Sequence, residues 1–453
     1  MKTNILVFLL LIVSICESEN DTWVVTYGED LTTYATSQVV LDDGSVIIAG
    51  YYNGQRTKFG NTNLTLNGEL NSFLAKINVD GNLEWVRSVG SGGVTYLTEI
   101  KLEKQSQQII AVGDFGNFTS SSESKIETAN GIVSSRGRDS FVLRIELNGN
   151  ILSGSTITEY PSYKIKSFDI DLEGAIYLML ESDLAANLLV PNQFNSEVKL
   201  LKINKDFGIQ TPFLSHHELK GTGIKIISTS LSRLKISIRE KEFMSSVYEV
   251  ENSKIIKKIT FKTKESNVLN LSSMLIDDYG NTFLTGSFSN GLSIDGREIS
   301  SAEESFNKTN QDRLRTVKAF IIKLNNEDEL NWYSISNTVS TSINVEDIDI
   351  SNNGYVSITG TSVGAVDFQS KKTWEKKSHN YIPQSLFIAK FDSLGTNTTT
   401  YQDKPSVFSS GKSITYFNGY IYLSGRIGGE GRIMDHKIGK DEGTNFYIGK
   451  IKF

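Results

Sequence analysis

A single cysteine, Cys16, occurs among 453 residues, and it stands at the end of an N-terminal apolar run. One thiol forms no internal disulfide and builds no thiolate metal site. Proline is nearly as scarce, with 5, and no long polar tract is present, which argues against large disordered segments. Histidine numbers 4. His216 and His217 are adjacent, so a strand would point them to opposite faces, while His379 and His436 lie apart in loop-like sequence. That spacing does not gather zinc ligands. A basic excess is also missing: 46 Lys+Arg against 52 Asp+Glu gives a net charge of -6, which excludes a nucleic-acid surface. There is no nucleophile elbow, no phosphate-binding glycine loop and no helical periodicity. No metal and no cofactor is implied.

The one apolar run, Ile5 to Ile15, follows Lys2 and is shorter than the ~20 residues that span a bilayer. Small residues at Cys16 and Ser18 predict a signal peptide over 1–18, cleaved after Ser18. An uncleaved anchor fits the short run less well. A lipoprotein signal fits Ile15 poorly. The expectation is a secreted or cell-surface protein, residues 19–453, monomeric, with no cysteine and no transmembrane segment. Its hydrophobic core alone must hold it together, and a chain of this length can bury one.

What the chain does contain is a repeated hairpin. Met274-Leu-Ile-Asp-Asp-Tyr-Gly-Asn-Thr-Phe-Leu-Thr-Gly286 sets an apolar run, an Asp/Gly turn and a second run that ends on glycine. Val40–Gly50 and Ile348–Gly360 repeat it, and Ile170–Leu178 does so more weakly. A third strand follows in Phe73–Ile77, Phe141–Ile145, Phe320–Leu324, Phe387–Phe391 and Tyr447–Ile451, with Lys199–Ile203 as a looser copy and Ser246–Val250 the most divergent. A fourth carries tryptophan, as in Glu84-Trp-Val-Arg-Ser-Val-Gly90. Thr22-Trp-Val-Val-Thr-Tyr-Gly28 is a fourth strand without the three before it, and Ser413–Phe453 is three strands without a fourth. The two fragments sum to one unit, as a closed ring requires.

The units recur about every 62 residues and number about seven. The predicted fold is therefore all-β: a seven-bladed β-propeller of four-stranded antiparallel blades, closed by residues 22–28. The blades are expected near 35–91, 94–158, 163–216, 222–266, 268–336, 343–404, and 406–453 plus 22–28.

Asp277–Phe288, the turn Asp80-Gly-Asn-Leu-Glu-Trp85 and the aromatic-φ-x-Lys-φ strands resemble the SBBP type of β-propeller repeat. The match is good in three units, partial in two or three and poor over Thr222–Ser266. The resemblance implies this fold and an extracellular setting. It brings no common activity and no catalytic residues.

Each candidate for chemistry has a plainer reading. The bases of the third strands (Lys76, Arg144, Lys202, Lys323, Lys390, Lys450) would form inter-blade ion pairs with acids of the first hairpins or stay solvated. Glu249 at the matching place argues against a binding ring. The Asp/Asn-Gly turns lack the alternating acidic pattern of a calcium loop. Gly428-Gly-Glu-Gly431 reads as a turn.

Function is sought instead on the long loops Thr119–Arg138, Ser300–Val317 and Gln369–Gln384. Trp374, set among lysines near His379, is the candidate contact for a protein or glycan. Six Asn-x-Ser/Thr sequons occur, at Asn20, Asn63, Asn117, Asn270, Asn307 and Asn397, of which Asn63, Asn117, Asn307 and Asn397 read as loop-placed glycosylation sites. The expected function is an extracellular, non-enzymatic binding scaffold engaging a protein or glycan through its face loops. The alternative is a carbohydrate-active hydrolase or lyase using channel carboxylates, with Asp347 and Asp349 as the acids that share a strand face.

Overall fold

The computed structural model describes residues 22–28, 32–116, 123–157, 163–182, 196–207, 210–214, 219–230, 233–264, 268–300, 317–337, 342–368 and 383–453. All regular structure among them is β-strand, arranged as seven small antiparallel sheets in a ring with two separate hairpins, Arg56–Phe59 with Thr62–Thr65 and Ser124–Thr128 with Gly131–Ser135. Blade 1 runs outward through Thr33–Val40, Val46–Tyr52, Asn71–Ile77 and Leu83–Val89. The inner strands of blades 2 to 7 are Thr95–Glu103, Tyr163–Ile170, Thr222–Ser230, Leu269–Ile276, Ser342–Ile350 and Phe408–Phe417. Successive inner strands touch around the whole circle, the last against the first.

Closure is as the repeat pattern requires. Trp23–Tyr27 pairs antiparallel with His436–Ile451, from Trp23 opposite Lys450 to Tyr27 opposite Phe446. The divergent unit is a complete blade 4, built from Thr222–Ser230, Arg233–Lys241, Met244–Glu251 and Lys254–Lys262. A hairpin from blade 5, Leu292–Ile294 with Arg297–Ser300, adds to its outer edge. In blade 3 two short strands, Gln210–Pro212 and Leu219–Lys220, share the outer edge.

Three readings need correction. The segment Thr119–Arg138 contains a hairpin, Ser124–Thr128 with Gly131–Ser135. Gly428–Gly431 is not a turn, because the strand Tyr420–Ile433 continues through it with one bulge. His436 begins a strand rather than sitting in a loop.

The core is divided. Seven hydrophobic clusters each lie between two neighbouring blades, as a strand with both faces covered demands. At the closing joint Trp23, Tyr27 and Phe446 of blade 7 pack with Phe59 and Phe73 of blade 1. A recurring mortise reinforces these joints. The fourth-strand tryptophan of one blade lies on the turn glycine of the next: Trp23 on Gly81, Trp85 on Gly149 and Trp332 on Gly395. A Cβ at Gly81 would come within 2.8 Å of the Trp23 ring, and the Trp23 indole N–H donates to the Val79 carbonyl at 2.8 Å. In Asp80-Gly-Asn-Leu-Glu-Trp85 one motif supplies the glycine of one joint and the tryptophan of the next.

Candidate functional site

Every inner strand carries a β-bulge at the same level. The residue after the bulge is serine in blades 1, 3, 5 and 7 (Ser37, Ser167, Ser273, Ser413) and charged in blades 2, 4 and 6 (Glu99, Lys225, Asp347). These side chains do not stand free. Glu99 Oε2 accepts from the Phe168 N–H and the Ser167 hydroxyl, each at 3.1 Å. Asp347 Oδ2 accepts from the Ser413 hydroxyl at 2.9 Å and the Ile414 N–H at 3.1 Å. Two residues further along, Asp169 Oδ2 takes the Ser228 N–H at 2.7 Å and Asp349 Oδ2 takes the Tyr416 N–H at 2.6 Å. Each carboxylate thus clips its own blade to the next.

Charge pairs occupy this level. Lys225 reaches from blade 4 to blade 2, with Nζ 2.5 Å from Glu99 Oε1, and Lys101 pairs with Asp169 at 2.6 Å. Burial alone would raise the Glu99 carboxyl, but Lys225 and Lys101 hold it below the usual range. Burial would lower Lys225, and Glu99, with Asp347 and Asp169, raises it instead. Asp347 is pushed up by burial against the pull of Lys225. Asp349 is pushed up to about 7 by burial, which the Tyr416 and Ile350 N–H groups only partly offset.

The mouth of the channel is different. Second strands end, and inner strands begin, on one face of the ring. There Tyr34 and Tyr51, a cross-strand pair of blade 1, stack with centroids 4.8 Å apart and an interplanar angle of 21°. Tyr96 of blade 2 continues the row, 4.8 Å from Tyr51 at 42°. The Arg426 guanidinium of blade 7 lies over Tyr34 at 5.2 Å and over Phe408 at 5.3 Å. All four of these side chains keep partial exposure. Among the described residues, none of the three phenol hydroxyls and no guanidinium nitrogen of Arg426 has a hydrogen-bond partner. Burial, with its neighbours' phenols adding, raises Tyr51 to about 12, against the opposing fields of Arg426 and Lys412. Tyr96 is likewise raised to about 12 by burial and by Asp114, its cross-strand partner. Asp114 itself is pushed up to about 6 by burial, while it accepts from Ser140 Oγ at 2.7 Å and the Ile165 N–H at 3.1 Å.

The tyrosine row was not picked out from the sequence. Its signal was available, since Thr33-Tyr-Ala-Thr36 and Thr95-Tyr-Leu-Thr98 stand at the same register of adjacent units. Trp374 and His379 lie outside the described residues, as do Asn117 and Asn307. Asn63 is exposed, but on the strand Thr62–Thr65. Asn397 is not loop-placed: it starts the strand Asn397–Gln402, is 5% exposed, and spends its amide on the Lys390 and Thr399 carbonyls.

The third-strand bases also differ from expectation. Three pair with acids of their own blades, Arg144 with Glu103, Lys202 with Asp171 and Lys76 with Glu84, while hydrogen bonds across blades go to backbone oxygens, from Arg144 to Lys205 and from Lys390 to Phe453. Several lie over aromatic rings as well: Lys450 over Tyr420 at 4.3 Å, Lys202 over Tyr177 at 4.9 Å and Lys323 over Phe283 at 5.0 Å. In blade 4 the charges are exchanged. Glu249 faces Lys235 on the neighbouring strand, and Lys235 with Lys257 holds Asp328 of blade 5.

No helix among the described residues is long and apolar enough to cross a membrane, and no cluster of three metal-ligating side chains occurs among them. No protein-family model and no curated protein matches the chain. Among solved structures it is similar to an oligogalacturonate lyase in complex with manganese, at 8% identity and a TM-score of 0.44, over 94% of this chain and 98% of that one. It is similar to a protein of unknown function from Dyadobacter fermentans, at 10% identity and a TM-score of 0.38, over 95% of this chain and 98% of that one. A puromycin hydrolase shares 9% identity at a TM-score of 0.39, over 79% of this chain and 46% of that one. On its own strand pairing, the chain is a seven-bladed β-propeller.

Proposed function

We propose that this protein is a secreted or cell-surface binding scaffold of the SBBP-repeat type, which engages a glycan or protein partner on the face that carries its second-to-third-strand connections. One observation carries the reading: the row Tyr34–Tyr51–Tyr96, capped by Arg426, sits at the channel mouth with its hydroxyls unpartnered among the described residues. Tyrosine offers a rigid apolar body and a polar tip, which suits recognition. The deeper carboxylates support a scaffold too, because hydrogen bonds between blades already engage them. Trp374 and His379 stand in sequence between the second and third strands of blade 6, and are proposed as further contacts on that face.

The test is glycan-array binding by the mature protein, repeated with Tyr51→Ala. Binding that Tyr51→Ala abolishes supports the reading; binding indifferent to that change removes the row from it. The raised carboxyl of Asp349 favours one second reading, a hydrolase or lyase with Asp349 as a proton-carrying acid. Polysaccharide turnover lost in Asp349→Asn would establish that reading over the scaffold.

A further inference from the structure

We propose that the ligand of the tyrosine row is an anionic saccharide whose carboxylate is held by Arg426. The inference rests on the glycan reading above and narrows it.

The stacking decides what the row can offer. Tyr51 stacks on Tyr34, and Tyr96 leans against it at 42°, so the rings of the row are largely engaged with one another. Tyr34 has one face against Tyr51 and Arg426 over its ring. Such a row is not a platform for stacking a sugar ring. It is a ladder of phenol edges, and a hydroxyl-rich ligand is what a ladder of donors and acceptors recognises.

The ladder is electrically one-sided. Arg426 and Lys412 of blade 7 act on the Tyr51 hydroxyl from one end, and Asp114 lies across the strand from Tyr96 at the other. Lys412 is committed to Glu346 at 2.9 Å, whereas Arg426 has no carboxylate partner among the described residues. Two rings, Tyr34 and Phe408, lie against its guanidinium and restrain it. Its donors lie in the guanidinium plane as a fixed fork, which matches a planar carboxylate at two points. A neutral sugar would leave that fork to water. An acidic sugar places its carboxylate there and its hydroxyls along the phenol edges.

An array of neutral, uronic-acid-bearing and sulfated oligosaccharides, probed with the full protein and with Arg426→Gln, Arg426→Lys and Tyr51→Phe, tests this. Expected are signals confined to the uronic-acid set, at least tenfold weaker in Arg426→Gln, not restored by Arg426→Lys, and reduced by added salt. Tyr51→Phe removes one hydroxyl without changing packing, and should weaken the same signals. Equal binding of neutral sugars, or binding unchanged in Arg426→Gln, overturns the acidic-ligand inference and leaves the glycan reading standing. Preference for sulfated sugars overturns the carboxylate assignment. Silence over the whole array overturns both. Thermal unfolding of each variant close to that of the parent shows that a lost signal is a lost contact.

Discussion

Gly286 closes the Thr-Gly end of its hairpin because a methyl group there would overlap the Asn270 carbonyl on the neighbouring inner strand. The bulge brings that carbonyl in, and Gly50, Gly113, Gly360 and Gly425 meet the same obstacle in their own blades. Gly286→Ala should therefore cost roughly 2–3 kcal/mol or more, because backbone must move. Gly419→Ala meets nothing within 4 Å and bears only its φ of +83, a cost of about 1 kcal/mol. Urea midpoints compare the two, and equal losses would show that the bulge yields freely. Buried acids supply a second residue-scale prediction. Asp403 is 4% exposed, and its Oδ2 has no partner among the described residues. Burial pushes its carboxyl from 3.8 up to about 7. A folded value above the unfolded one gives stability that is complete below about pH 3.8 and is lost as pH rises through 7. Asp403→Asn should accordingly melt higher than the parent at pH 8, with the gap closing by pH 4. Glu99 carries the opposite sign. Its carboxyl is lowered, so its contribution holds above the ordinary carboxylate range and fades as pH falls through the folded value.

Three of the seven joints carry the tryptophan-on-glycine mortise, and the one between blades 4 and 5 puts ionic chemistry in its place. Lys257 occupies the tryptophan place, and Asp328, at φ +65, occupies the glycine place. Lys235, 5% exposed on its side chain, completes an ionic joint to Asp328, which is 4% exposed. Lys235→Met alone leaves Asp328 short of its most buried partner, and should cost about 3–5 kcal/mol. Adding Lys257→Trp and Asp328→Gly rebuilds the apolar mortise, and the triple variant should recover most of that loss in chemical denaturation. If the triple variant is no more stable than Lys235→Met, the two joints are not interchangeable. Much of the fold was legible because hairpin, third strand and tryptophan strand repeat as residues. Blade 4 matched poorly because its joint swaps apolar for ionic chemistry, which a pattern of apolar positions does not register. The site was barely legible for a related reason. Tyr34, Tyr51 and Tyr96 are ordinary strand residues, and only the bulges and the ring bring them into one row.

Across the whole molecule, stability depends on one strand of five residues, Trp23–Tyr27. It buries Trp23 and Tyr27, worth roughly 2–3 kcal/mol each as large side chains removed from water. Removing residues 22–28 should lower the thermal midpoint markedly and expose the edge of His436–Ile451 to aggregation. An unchanged midpoint would show that the ring does not need its latch. Trp23→Ala and Trp85→Ala delete equivalent mortises, but only the first lies where no covalent link joins the strand to its own blade. Limited proteolysis should therefore nick the Trp23 variant near its N-terminus and leave the Trp85 variant intact. The same arrangement has a consequence for synthesis. Thr22 and His436 are 414 positions apart, and at about 5–20 residues per second a ribosome takes roughly 20–80 seconds to cover that distance. Throughout that interval the latch is already made and its partner strand is not. The first strand of the ring is thus the last to find its place, and the stretch on which a chaperone has longest to act.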